Sequence, residues 1–150
     1  MFSCEKVSDA TRVGGVEYTL GPLLRRAGRR AADAFSAALA PLEIEGRHFG
    51  VLLNLHRAGP QSQRELSGRT GSDKSTMTRT IDELAARGLV VRRASASDRR
   101  VNVVELTDAG RERFAAAERV AAEVNDELMA HMTADERDAL RHHLRRFLDA

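Results

Sequence analysis

Cysteine occurs once, at Cys4. An internal disulfide is therefore excluded, and a reducing compartment is expected. Long apolar runs are missing too: stretches such as Val51-Leu52-Leu53 are far too short to span a bilayer. The opening residues, MFSCEKVSDATRVGG, lack an apolar core and a cleavage-like pattern, so no secretory signal is expected. Together these absences predict a cytoplasmic location and no membrane partner. Lysine is scarce, with only Lys6 and Lys74 among 24 basic residues. There is no Gly-rich phosphate loop, HExxH metal motif or GxSxG nucleophile elbow. Neither an internal repeat nor a low-complexity linker interrupts the chain. His131, His142 and His143 come nearest to a metal set, but the last two are adjacent and project about 100° apart on a helix. With no cysteine beside them, solvated histidines are the simpler reading. No enzymatic activity, metal or cofactor is expected.

What is present suits a globular chain of one domain: 150 residues, 42% hydrophobic and 31% charged. The net charge of +2 is unevenly spread. Residues 45–107 hold 11 Lys+Arg against 7 Asp+Glu, residues 108–150 hold 7 against 10, and residues 1–44 hold 6 against 5. A basic middle between a near-neutral and an acidic flank suits a polyanion-binding module on a scaffold.

Hydrophobic spacing then divides the chain. Residues 1–17 show no period and contain Gly14-Gly15, as expected of a flexible tail. Leu20, Leu24, Ala27, Ala31, Phe35 and Leu39 recur at helical spacing, and Pro41 ends that helix. Phe49, Leu52, Leu53 and Leu55 mark a second helix, stopped by Gly59-Pro60. Ser62 and Glu65 stand at capping-box spacing, so a third, short helix begins near Gln63. A fourth follows a turn, with Ser72 or Asp73 as its N-cap and Gly88 as its stop. A short helix, a glycine-containing turn and a second helix form the helix-turn-helix pattern. After Gly88 the run from Leu89 to Ala94, the polar SASDRR and the alternating VNVVELT predict a β-hairpin, a wing. Asp108 is expected to cap a fifth helix through Phe114, Ala117, Ala121, Val124 and Leu128. Thr133 and Glu136 open a sixth, with Leu140, Leu144, Phe147 and Leu148 on one face.

The expected fold is thus mainly α with a small β-hairpin wing. It divides into a tail (1–17), a dimerisation helix (18–44), a winged helix-turn-helix region (45–107) and C-terminal dimerisation helices (108–150).

The start of the fourth helix is odd. Ser72, Asp73, Lys74, Ser75, Thr76 and Thr78 crowd where good helix formers would be expected. Met77, Ile81 and Leu84 share one face, and Ser75, Thr78, Arg79 and Asp82 another. Short hydroxyls let a helix sink into the major groove, and Arg79 can take guanine bidentately. The helix N-terminus adds N–H groups and partial positive charge suited to phosphate. An ordinary capped surface helix is the competing reading. The wing tips the balance: Arg99 and Arg100 sit at its tip, and Arg92 and Arg93 on the strand leading to it. Arginine gains from the negative potential of a narrow minor groove. Double-stranded DNA is therefore the expected partner, read by Ser72, Asp73, Lys74, Ser75, Thr76, Thr78 and Arg79. The wing would contribute Arg92, Ser97, Asp98, Arg99 and Arg100.

The stretch SDKSTMTRTIDELAARGLVVRRASASDRRVNVVELTDAG resembles the MarR family of winged helix-turn-helix transcriptional regulators. Its Leu-x-x-Arg-Gly-Leu-Val exit, Asp98-Arg99-Arg100 and Leu106-Thr107-x-x-Gly110 carry the likeness, which runs from about Leu20 to Leu148. Gly46, where the family often has a hydroxyl cap, and Ser67 and Thr70 in the third helix depart from it. The resemblance implies a homodimer whose first, fifth and sixth helices interlock, with two winged helices on a near-palindromic operator. It also implies a ligand-responsive regulator, expected to be a repressor, released by a small anionic or phenolic effector. Arg29, Arg47 and His48 are candidates to line the effector pocket, with helix packing as the competing role for His48. Two alternatives stand beside this reading. One is a winged-helix protein-interaction module without DNA binding. The other is a thiol-based redox sensor using Cys4, though only Lys6 lies nearby in sequence to lower its pKa.

Overall fold

Phe114 shows how the chain is held together. Its ring, from a long C-terminal helix, lies 5.7 Å from that of Phe49, which in turn meets Phe35 edge-on at 5.1 Å. Three helices far apart in sequence therefore share one aromatic column, with the geometry that ring quadrupoles favour. The computed structural model describes residues 20–95 and 102–149, together with the backbone of 12–13 and 16–17.

Two short strands, β1 (Arg12–Val13) and β2 (Val16–Glu17), pair antiparallel within the stretch expected as a tail. Helix α1 runs Leu20–Leu39 and passes through a 3₁₀ turn, Ala40–Leu42, that holds Pro41. Helices α2 (Gly46–Ala58), α3 (Gln63–Thr70) and α4 (Lys74–Ala86) follow. Strands β4 (Val90–Ala94) and β5 (Asn102–Leu106) form the wing, and α5 (Asp108–Leu128) and α6 (Ala134–Leu148) complete the chain. The wing hairpin gains a third strand that the sequence did not predict, β3 (Gln61–Ser62), which pairs with β5 opposite Val104 and Val103. Val104 and Leu106 face inward, whereas Val103 is only partly buried.

The core gathers under the winged helix: Val51, Leu52, Leu55, Leu66, Met77, Ile81, Leu84 and Phe114 are all nearly inaccessible. Along α5, burial is complete at Phe114 and Ala117 and only partial at Ala121, Val124 and Leu128. Helix α6 has no buried residue. Among the described residues, no helix is long and apolar enough to cross a membrane.

The exits and entries of these elements explain two sequence motifs. Helix α4 ends in a Schellman arrangement: Leu89 N–H donates to the Leu84 carbonyl and Gly88 N–H to that of Ala85, both at 2.9 Å. Gly88 takes φ +69°, where a side chain would be strained. Leu106-Thr107-x-x-Gly110 joins the wing to α5. Thr107, not Asp108, is the N-cap; its Oγ1 accepts Gly110 N–H at 3.0 Å and donates to the Gly88 carbonyl at 2.6 Å. A Cβ on Gly110 would stand 1.9 Å from the Leu89 carbonyl oxygen, so only glycine lets α5 approach the wing this closely. At α2, Glu45 is the N-cap and Gly46 the first helical residue, which places Gly46 one position inside the expected cap.

Candidate nucleic-acid interface

Helices α3 and α4 meet through Gly71 at φ +69° and the cap residue Asp73. The polar crowd at this point has two fates. Asp73 accepts from Thr76 N–H at 2.9 Å, Ser75 Oγ at 2.6 Å and Thr76 Oγ1 at 2.7 Å. These donors, the Ser75 hydroxyl first, hold the Asp73 carboxyl well below the usual carboxylate range. Ser72 Oγ accepts from Thr70 Oγ1 at 3.1 Å. Thr78 Oγ1 donates to the Lys74 carbonyl at 2.8 Å and accepts from Gln63 Nε2 at 2.6 Å, which pins α3 to α4. Much of the odd composition is thus spent on building the turn. The α4 N-terminus, expected to receive phosphate, is occupied by the Asp73 carboxylate.

The cations are the other part. Lys74 and Arg79 are exposed and make no ion pair among the described residues. Met77, Thr80, Ile81 and Leu84, by contrast, are buried on the opposite side of the same helix. Helix α4 therefore presents two long cationic side chains from a rigidly packed backbone, as a groove-reading helix requires.

The wing differs from expectation at Arg92. Its Nη2 lies 2.5 Å from Asp82 Oδ1, so Arg92 ties β4 to α4 and its charge is compensated. Arg93 Nε lies 3.6 Å from Glu105 Oε2 across the hairpin. Ser97, Asp98, Arg99 and Arg100 lie outside the described residues, as does Cys4.

Of the three candidates for an effector pocket, Arg47 and His48 meet at Glu83, and Arg29 does not join them. His48 is fully buried, with Nδ1 accepting from Glu45 N–H at 3.1 Å and Nε2 2.7 Å from Glu83 Oε2. Arg47 bridges Glu45 and Glu83, at 2.9 and 3.0 Å. Arg29 is exposed on α1. The His48 hydrogen bond, then Arg47, lowers the Glu83 pKa. Both ring nitrogens of His48 are engaged, so it packs α2 against α4. An open hollow of about 520 Å³ lies instead between α1 and the α5–α6 corner, lined by Leu23, Ala27, Leu128, Met132 and Leu140 with Arg26, Arg30 and His131. No group of three or more potential metal ligands occurs among the described residues.

Comparison with known proteins agrees with this geometry. The MarR family model matches residues 42–101, the span from the 3₁₀ turn to the wing. A probable transcriptional regulator from Pseudomonas aeruginosa is 30% identical, with a TM-score of 0.79 over 87% of this chain and 97% of that one. A mutant MarR from E. coli, complexed with operator DNA, is 27% identical with a TM-score of 0.80, over 87% and 94%. BpsR of Bordetella bronchiseptica, whose DNA binding is regulated by 6-hydroxynicotinic acid, is 29% identical with a TM-score of 0.80, over 87% and 94%. The winged helix, its wing and the long flanking helices thus have counterparts throughout, and the chain belongs to the MarR family of winged-helix, DNA-binding transcriptional regulators.

Proposed function

We propose that the chain acts in the cytoplasm as a homodimeric repressor. It reads a near-palindromic operator with α4 in the major groove and Arg99 and Arg100 of the wing at the minor groove. The observation that carries this is the pair of exposed cations, Lys74 and Arg79, which make no ion pair among the described residues and stand on a helix whose other face is fully packed. The E. coli relative in complex with operator DNA supports it. Homodimerisation is supported by the bare apolar side chains of the outer helices: Leu20, Leu23, Phe147 and Leu148 are each more than half exposed, where a second subunit would cover them. A small anionic or phenolic effector releases the operator by favouring a dimer whose recognition helices are mis-spaced for successive major grooves. Regulation of BpsR by 6-hydroxynicotinic acid supports that class of ligand.

The test is binding of the purified protein to the DNA flanking its own gene, over a salt series with random competitor, followed by selection from a random DNA pool. Tight, salt-dependent preference for a near-palindrome is expected. Arg79→Ala should cost about 1–3 kcal/mol of base discrimination, whereas Arg99→Ala should weaken all sequences alike and flatten the salt slope. Absence of any selected sequence would overturn the operator reading in favour of a protein-interaction module.

A further inference from the structure

Two adjacent carboxylates on α4 bind different neighbours. Asp82 holds Arg92 of the wing, and Glu83 holds Arg47 and His48 of α2. The second grip involves a buried group that the DNA-reading surface does not use. His48 Nδ1 accepts the Glu45 N–H, so the neutral ring carries its proton on Nε2 and donates it to Glu83 Oε2. One turn further along α4, the Arg87 guanidinium donates to the Glu43 carbonyl. Glu43 has φ +56° and is the only non-glycine residue at positive φ among the described residues. It is the point where the chain leaves the turn after α1 and heads into α2. Such a conformation persists only where its surroundings hold it. Three contacts, Arg47 and His48 with Glu83 and Arg87 with the Glu43 carbonyl, therefore bind the C-terminal end of α4 to residues 43–48, the joint between α1 and the winged helix.

We propose that His48 and Glu83 are positioning residues for DNA binding: they clasp α4 to the α1–α2 joint, so that the placement of the recognition helix follows that of α1. The apolar contacts of Met77, Ile81 and Leu84 hold α4 down but have no preferred direction, whereas a hydrogen bond from a buried ring to a carboxylate fixes rotation and register. Arg47 secures the same carboxylate, and Arg87 secures the backbone of the joint itself. The inference rests on the reading of α4 as the base-contacting helix.

The experiment uses the full-length protein, with fluorescence anisotropy on a selected operator duplex and on a scrambled duplex of equal length. His48→Asn keeps an acceptor for the Glu45 N–H but is too short to reach Glu83. His48→Gln keeps a donor that reaches Glu83 but not the acceptor at the place of Nδ1. Glu83→Ala, the double variant His48→Asn/Glu83→Ala, and Arg79→Ala as a control complete the set. His48→Asn and Glu83→Ala should each lower operator affinity about tenfold while scrambled-duplex affinity stays within about twofold. The double variant should be no worse than the weaker single, and His48→Gln should restore most of the loss. A lower melting temperature with unchanged operator preference would overturn the positioning role, as would equal loss on both duplexes. If His48→Asn fails to fold, Glu83→Ala decides on the same criteria. Loss of discrimination in Arg79→Ala alone leaves the α4 reading standing and removes the clasp; no loss in Arg79→Ala removes the α4 reading itself.

Discussion

Helices α4 and α6 are similar objects as sequences and opposite objects in the structure. Each is amphipathic, opens on a side-chain cap, Asp73 or Thr133, and has an apolar face at helical spacing. Helix α4 buries Met77, Thr80, Ile81 and Leu84, whereas α6 buries nothing, with Phe147 62% and Leu148 79% exposed. An apolar stripe thus specifies that a face must be covered but not by what. For α4 the cover is α2, α3 and the wing of the same chain. For α6, with the outer part of α1, a second subunit is the proposed cover. Helix α5 spans both situations, packed at Phe114 and progressively open toward Leu128.

The sharpest way to break the comparison is in the packed region. Phe114→Ala removes the ring that meets Phe49 at 5.7 Å and His56 at 4.6 Å, and should cost about 3–5 kcal/mol in urea unfolding. Next, Phe147→Glu with Leu148→Glu should leave the winged helix folded but dissociate the proposed dimer, by sedimentation, since each apolar side chain covered by a partner is worth about 1.5–3 kcal/mol. If those two changes instead unfold the whole chain, the contrast between the regions is lost. A smaller effect tests the seam where they meet: Thr107→Ala removes the α5 cap and the link to Gly88, and should lower stability by about 1 kcal/mol.

The smallest effect is a pH dependence confined to α4. The Asp73 carboxylate is favoured in the folded state, so its stabilisation is present above the ordinary carboxylate pKa of about 3.9 and is lost as pH falls toward the lower folded value. Asp73→Asn keeps a capping oxygen but cannot titrate. It should flatten the acid limb of the stability curve, followed by circular dichroism, with little change at neutral pH.

Much of the fold was legible because its signals are local. The capping boxes Ser62/Glu65 and Thr133/Glu136 and the glycine stop at Gly88 lie where their spacing indicates. Strand β3 was not legible: two residues carry no alternation, and Gln61 and Ser62 become a strand only by pairing with Val104 and Val103, about forty residues away. The cap of α5 was misplaced by one residue because Thr107 and Asp108 are both good caps, and the Gly88 carbonyl that fixes Thr107 comes from another element. The surroundings of the candidate interface residues were legible in part. Lys74 and Arg79 stand out as the α4 pattern suggests, whereas Asp73, Ser75 and Thr78 are also committed to the turn and to Gln63. Arg92 is compensated by Asp82, a contact between elements that neither segment announces.

The sequence by itself determined the order of the helices, the winged helix-turn-helix and the family, because hydrophobic period, caps and turn glycines act over a few residues and need no partner. Only the tertiary structure decided what each polar group does. Whether His48 faces a ligand or clasps Glu83, and whether Arg92 is free or paired, depends on which element packs beside it. Hydrogen bonds and ion pairs are set over about 3 Å in space, and no spacing along the chain encodes that distance.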